Sequence, residues 1–239
     1  MSTLLLRLAG PMQSWGTQSR FSVRDTGLEP SKSGVIGLLC AALGRPRTKP
    51  VDDLTALRMG VRVNREGSLR RDYHTALNVQ RAGGGLKECE LSTRYYLADA
   101  DFLVGIECEP GLAASLLRAL EQPVWHLFLG RKSFVPGLPV PAGIVEQSLD
   151  QAFAELRWVA RTPAEREAML QRIARMDQAG NPVRLRVVLD AEFGTTPEVR
   201  CDVPLSFAER RFTIRHVKTD WIDLTPDMIK EDTLCTSPG

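Results

Sequence analysis

Leu4-Leu5-Leu6-Arg7-Leu8-Ala9-Gly10-Pro11-Met12-Gln13-Ser14-Trp15-Gly16 decides how this chain starts to fold. Leu4, Leu6 and Leu8 share one face and Leu5, Arg7 and Ala9 the other, so residues 3–9 read as an interior strand. The run breaks at Gly10-Pro11 into a polar and aromatic loop that passes Arg20 and Arg24 and reaches Pro30-Ser31-Lys32-Ser33-Gly34. From Gly34 to Leu43, apolar residues cover most of a helix, which must therefore pack on a sheet, and Gly44 stops it. A strand, a glycine-bearing loop and a Ser/Lys-flanked helix start can cradle a phosphate. Backbone N–H groups at Gly10, Gly16 and the helix start would face it, aided by the helix dipole. Lys32 would add charge, Ser31 and Ser33 hydroxyls, and Gln13 a group able to read a base edge. Trp15 fits equally a base-stacking plane, at ~1–3 kcal/mol per base, and a core residue capping the sheet.

Outward from that stretch, residues 52–57 form a short helical turn and Met59 to Asn64 a half-exposed strand. Glu66-Gly67 is a tight turn, and Leu69 to Leu77 is predicted to return as the partner of that strand. Asn78 to Ser92, polar and centred on Gly83-Gly84-Gly85, reads as a mobile hairpin tip or a disordered excursion. Strands at 93–97 and 102–108 flank Asp99-Ala100-Asp101, and Pro110 opens a helix running to about Glu121. This order approximates a split βαβ pattern with an insertion before its last core strand, leaving one sheet face free for a ligand. Further on, Trp125 to Leu129 is predicted as a strand, Gly130-Arg131-Lys132-Ser133 as a basic turn and 136–141 as a proline-rich connection. Thr162-Pro163-Ala164-Glu165 carries an N-cap, a first-turn proline and a capping-box glutamate for a helix over about 163–178. Segments 183–191, 199–204 and 211–217 read as a small second sheet, and the tail after Leu224 as frayed.

With 239 residues, 43% of them hydrophobic, the chain can bury an ample core. Its net charge is only +2, so affinity for a polyanion must come from local clusters such as Arg45, Arg47 and Lys49, the arginines from Arg58 to Arg71, Arg131 and Lys132, or Arg210 to Lys218. Taken singly, each of these clusters reads first as a solvated face. Five cysteines without a C-x-x-C pair argue against zinc and against a disulfide framework. No apolar run approaches the ~20 residues of a membrane helix. The start carries no charged leader, so a reduced cytoplasm is the expected compartment.

The basic turn has the flavour of a nucleotide-binding loop but lacks its leading glycine and its strand-to-helix context. The strongest catalytic candidate is Arg70-Arg71-Asp72-Tyr73-His74, ahead of His126 in an apolar segment and His216 in a basic one. A metal-independent ribonuclease needs a base at the 2′-hydroxyl and an acid or cation at the leaving oxygen, and histidine suits this near neutral pH. Tyr73 and His74 point to opposite faces of a strand, however, so His74 reads first as a structural or RNA-touching residue.

Taken in order, the opening stretch, Pro30 to Leu39, Arg71-Asp72-Tyr73-His74-Thr75, Tyr95 to Phe102 and Leu129 to Ser133 resemble the CasD-type subunits of type I-E CRISPR Cascade complexes, members of the Cas-five-type branch of the RAMP superfamily. The resemblance implies an α+β chain: a ferredoxin-like (RRM-type) domain over residues 1–122 with a thumb-like insertion at about 78–92, which would hold Arg81, Gly83, Gly84, Gly85 and Lys87. A smaller, mainly β domain over 123–224 and a frayed tail over 225–239 would follow. It implies a non-catalytic subunit that grips the 5′ handle of the CRISPR RNA and caps the backbone subunits. Such a subunit abuts the large PAM-reading subunit and so lies near the PAM-proximal target DNA, with no cofactor, metal or membrane. Arg20, Arg24, Lys32, Arg131 and Lys132, with Ser33 and Ser133, would hold phosphates, and Gln13, Trp15, Tyr73 and His74 would lie near bases. Type I-C relatives cut repeat RNA themselves, which keeps a metal-independent endoribonuclease as the alternative. The stacked-aromatic RRM signature is absent, so RNA is not expected across the open sheet. A third class, a small-molecule-binding ferredoxin-like protein, would bind no RNA.

Overall fold

The computed structural model describes residues 1–16, 22–192, 194–195 and 198–231. The chain begins with β1 (Ser2–Ala9), the short β2 (Met12–Gln13) and β3 (Val23–Arg24), then α1 (Lys32–Ala42), α2 (Asp52–Thr55) and β4 (Arg58–Arg65). Next come β5 (Ser68–Gln80), β6 (Leu86–Ala98), β7 (Asp101–Cys108) and α3 (Pro110–Glu121). The remainder is β8 (Pro141–Val145), α4 (Leu149–Glu155), β9 (Trp158–Ala160), α5 (Pro163–Gln178), β10 (Arg184–Ala191), β11 (Val199–Ser206), β12 (Arg211–Asp223) and β13 (Ile229–Glu231).

The fold is α+β. Seven antiparallel strands make one sheet in the order β11-β12-β10-β4-β7-β1-β8. The predicted small second sheet does not exist among the described residues: β10, β11 and β12 lengthen the first sheet, which continues across the expected boundary at 122/123. One face packs Leu4, Leu6 and Leu8 against Val35, Ile36 and Leu39 of α1 and Ala113, Leu116 and Leu120 of α3. The other face was expected to be open, yet α4 covers it, with Leu149 and Phe153 packed on Leu5, Leu103, Val187 and Leu189. Gly60 and Gly105, paired across β4 and β7, make this possible. A Cβ at Gly105 would lie 2.3 Å from Leu149 Cδ1, and one at Gly60 would lie 2.8 Å from Leu149 Cδ2.

Two further strand assignments change. β4 is buried on both faces rather than half-exposed. Arg62 is enclosed on the α4 side and donates to the carbonyls of Phe153, at 2.9 Å, and of Leu156 and Arg157. Burial lowers its pKa to about 10. β5 does not pair with β4. Gly67, at φ +73 and pressed against the Ala98 carbonyl, turns the chain into a different sheet, where β5 pairs along its length with β6. Of the two readings of residues 78–92, the hairpin tip is the one found rather than the disordered excursion: most of the segment is strand, with a tip closed by Arg81 N–H to the Gly85 carbonyl at 3.0 Å. The base of this hairpin is tied to the opening loop, where β2 pairs with one end of β6 and β3 runs beside it.

Trp125 to Leu129 is not a strand. The N–H groups of Val124 and Trp125 instead satisfy the Ala42 and Ala41 carbonyls at the end of α1, at 3.0 and 3.1 Å. The helix at 163–178 forms as predicted, with the Thr162 hydroxyl accepting from Glu165 N–H at 3.1 Å. The tail does not fray at once: Pro226–Met228 is a 3-10 turn and β13 pairs with β9. Residues 232–239 lie outside those described.

Candidate nucleic-acid interface

The start of α1 is built, but not as an open phosphate cradle. The Ser31 hydroxyl caps it by accepting Gly34 N–H at 3.3 Å. The Lys32 N–H, which would have faced an anion, donates to Asp202 Oδ2 at 2.7 Å. A carboxylate of the chain itself thus occupies the favoured place at the helix N-terminus. The Lys32 side chain is buried too, its Nζ donating to the Leu57 carbonyl at 2.7 Å and to Asp190 Oδ2 at 2.8 Å. Arg215 completes the cluster, reaching Asp202 Oδ1 at 2.7 Å and also Asp190. Burial alone would raise the pKa of Asp190, but Arg215 and Lys32 outweigh it and hold the carboxyl below its ordinary value. Lys32 therefore bolts α1 to the far strands rather than holding phosphate.

Gln13 and Trp15 are likewise internal. Gln13 is fully buried, and its amide donates to the Leu8 and Ala100 carbonyls, each at 2.9 Å. Its Oε1 accepts Trp15 Nε1–H at 3.2 Å. Trp15 is 1% exposed and lies against Gly34, where a Cβ would sit 2.8 Å from its Cε3. Of its two readings, the core one holds. Gly10 is buried beneath the 129–137 loop, with Val135 O and Leu129 close by. Arg20 lies outside the described residues.

What the chain does form here is an open groove of about 1190 Å³ along the outer side of α1. Gly34, Gly37, Leu38 and Ala41 of α1 line it together with Ser33 and Gly16. The 125–132 segment, Phe207 and Phe212 line it as well. Its cations are Arg24, Arg45, Arg47, Arg131 and Lys132, against the single carboxylate of Asp25. Arg45 is bound to Asp53, at 2.8 Å between Nη2 and Oδ2. Arg24, Arg47 and Lys132 have no carboxylate partner among the described residues.

The predicted basic turn is locked onto the opening loop. Ser14 N–H donates to the Leu129 carbonyl at 3.1 Å, and Gly130, at φ +88, leaves no room for a side chain. A Cβ there would stand 1.7 Å from the Ser14 carbonyl oxygen. Arg131 turns back, donating to the Tyr95 carbonyl at 2.8 Å and lying over the Phe134 ring at 5.3 Å. Burial, with Arg94 and Arg24 nearby, pulls its pKa below the ordinary arginine value. Arg131 is thus a strut between turn and hairpin, while Lys132 and Ser133 stay exposed.

Tyr73 and His74 are on β5, outside the groove. Tyr73 is 67% exposed, and His74 Nδ1 lies 3.7 Å from Asp72 Oδ2. Arg81, Gly83, Gly84 and Gly85 form the exposed hairpin tip, and Lys87 pairs with Glu90. Sequence reading missed Arg47, Trp125, Phe207, Phe212 and Gly37 as groove residues. Two signals were available, the basic cluster that holds Arg47 and a glycine in the middle of an apolar helix. Phe207 and Phe212 arrive through the packing of β11 and β12 and leave no local trace.

Residues 3–218 match the family model described as CRISPR-associated protein (Cas_Cas5). The CRISPR system Cascade subunit CasD of Escherichia coli (strain K12) is 38% identical over 148 residues, which is 55% of this chain and 66% of that protein, just under two thirds of its length. A solved structure described as the crystal structure of a Cas protein superposes with a TM-score of 0.72 at 41% identity, over 96% of this chain and 98% of that one. A chain from a CRISPR RNA-guided surveillance complex gives a TM-score of 0.77 at 32% identity, over 95% and 92% respectively.

Proposed function

Because the chain belongs to the CRISPR-associated Cas5 family, we propose that it is the CRISPR RNA-binding subunit of a Cascade-type antiviral surveillance complex, working in the cytoplasm. It holds the 5′ handle and caps the backbone subunits beside the large PAM-reading subunit, close to the PAM-proximal target DNA. The similarity to CasD and to a surveillance-complex chain supports the assembly. The observation that carries RNA binding is the α1 groove, whose cations Arg24, Arg47 and Lys132 have no carboxylate partner among the described residues. The strand order β4-β7-β1-β8, with α1 and α3 on one face, supports reading this core as ferredoxin-like. In that reading the β5–β6 hairpin is its thumb. Leu69, Tyr73 and Leu77, exposed on one side of the hairpin, suit a surface covered on assembly. The role is non-catalytic. His74 stands outside the groove and its cations, with Asp72 Oδ2 3.7 Å from its Nδ1, and that position supports binding rather than strand cleavage.

The test is capture of repeat-derived single-stranded RNA by the chain and by an Arg24→Ala, Arg47→Ala, Lys132→Ala variant across a salt series. Removing three phosphate contacts should weaken capture and flatten the slope of log K against log salt by about 2. Equal affinity and equal slope would remove the groove from RNA binding. Cleavage of that RNA in EDTA, abolished by His74→Ala, would replace the subunit reading with the nuclease.

A further inference from the structure

Helix α1 lines the groove with two glycines three residues apart, and they are there for different reasons. Gly34 is imposed by packing, because any side chain would strike the Trp15 indole. Gly37 is not. Within 4 Å, a Cβ there would meet, among the described residues, only Phe207 Cζ, at an ordinary van der Waals distance of 3.8 Å. Its backbone is helical, and among helix formers glycine is poorer than every residue except proline. The fold alone would be better served by alanine, so the bare Cα at 37 needs another cause.

The surroundings of Gly37 supply it. The groove floor is apolar at Leu38 and Ala41, and two aromatic side chains stay open to solvent beside it, Trp125 at 46% and Phe212 at 39% exposure. Arg47 and Lys132, which have no carboxylate partner among the described residues, belong to the same groove. A flat apolar floor with aromatic walls and cations around it matches a nucleotide unit, base inward and phosphate outward. A groove for phosphates alone would have no use for the floor.

We propose that Gly37 is a specificity-determining residue of this groove: its missing side chain makes room for one unstacked base of the bound RNA. This rests on the RNA-binding reading above. The probe is the RNA that co-purifies with the full chain or its complex, sequenced and resynthesised with a single abasic residue at each position in turn. In the wild type, one abasic position should weaken binding about tenfold. Gly37→Leu should lose about tenfold on the intact RNA and show no further loss at that same position. Gly37→Ala should lose about threefold, with a melting temperature equal to or above wild type, so that lost binding is not lost fold. Wild-type affinity in both variants, or an abasic penalty that persists unchanged in Gly37→Leu, would overturn the inference and leave RNA binding standing. Recovery of no RNA at all would overturn both.

Discussion

Two groups of cations flank the same helix, and they have opposite fates. At the start of α1, Lys32 and Arg215 are buried against Asp190 and Asp202, two positive charges for two negative ones. Along the groove, Arg24, Arg47 and Lys132 face solvent with no such partners among the described residues. Lys32 and Lys132 each sit beside serines in sequence, Ser31 and Ser33 for one and Ser133 for the other. Charge type and local motif therefore do not say whether a cation is free for a ligand. The deciding factor is whether distant strands bring a carboxylate, as β10 and β11 do for Lys32.

The largest effect should follow from unbalancing the buried group. Asp190→Asn leaves two enclosed cations facing one carboxylate, a loss of about 3–5 kcal/mol, read by urea or thermal unfolding. The pH dependence has a definite sign. A carboxyl held below its ordinary value of 3.8 in the folded state contributes stability that is complete above that value. That stability is lost as pH falls through the depressed folded value. Wild type should thus show an acid loss that Asp190→Asn lacks. Equal stability in the two proteins would mean that Lys32 and Arg215 find other partners.

Gly130→Ala comes next, because it strikes the joint between the two regions. The substitution asks for a Cβ at φ +88 and at 1.7 Å from the Ser14 oxygen, so the turn must detach from the opening loop. Strain and displacement together should cost about 2–4 kcal/mol. Lys132 should lose its position with them, so RNA capture should weaken alongside the melting temperature. A stable Gly130→Ala protein with intact capture would show that the turn does not set the groove.

Gln13→Ala separates the internal role from the sequence reading. It strands the Trp15 indole N–H and takes a donor from the Leu8 and Ala100 carbonyls, the second of which keeps Arg161 Nη2 at 3.2 Å, at about 1–3 kcal/mol. The folded fraction should bind RNA as wild type does. Weakened RNA binding without lost stability would restore Gln13 as a base reader.

Local patterns gave β1, α1, α3 and α5 because each carries its own periodicity or cap. Thr162 and Pro163 mark α5, and Gly44 marks the end of α1. What stayed hidden depends on partners far away in the chain. Leu149 to Glu155 is too short to show a period, and only Gly60 and Gly105, opposite each other on two strands, record that a helix lies across them. The partner of β5 could not be read either, since the turn at Gly67 is the same whether the chain returns or leaves the sheet. Within the site, Arg24, Lys132 and Ser33 were placed near the groove from sequence. Lys32 and Gln13 were misread because groups that bind them lie 170 and 87 residues away, whereas Trp15 stood open between a stacking and a core place.

The smallest effect is also the sharpest test of the contrast. Arg47→Ala combined with Lys132→Ala removes two cations that satisfy no carboxylate and cover no core. Unfolding free energy should stay within about 0.5 kcal/mol of wild type. Salt should scarcely alter that result, because no ion pair is lost. The same pair of changes should lower the salt dependence of RNA capture by about 1.4 in slope, two phosphate contacts on a single strand. A drop in stability would mean that the groove cations hold the fold together as Lys32 does, and the two regions would then be one.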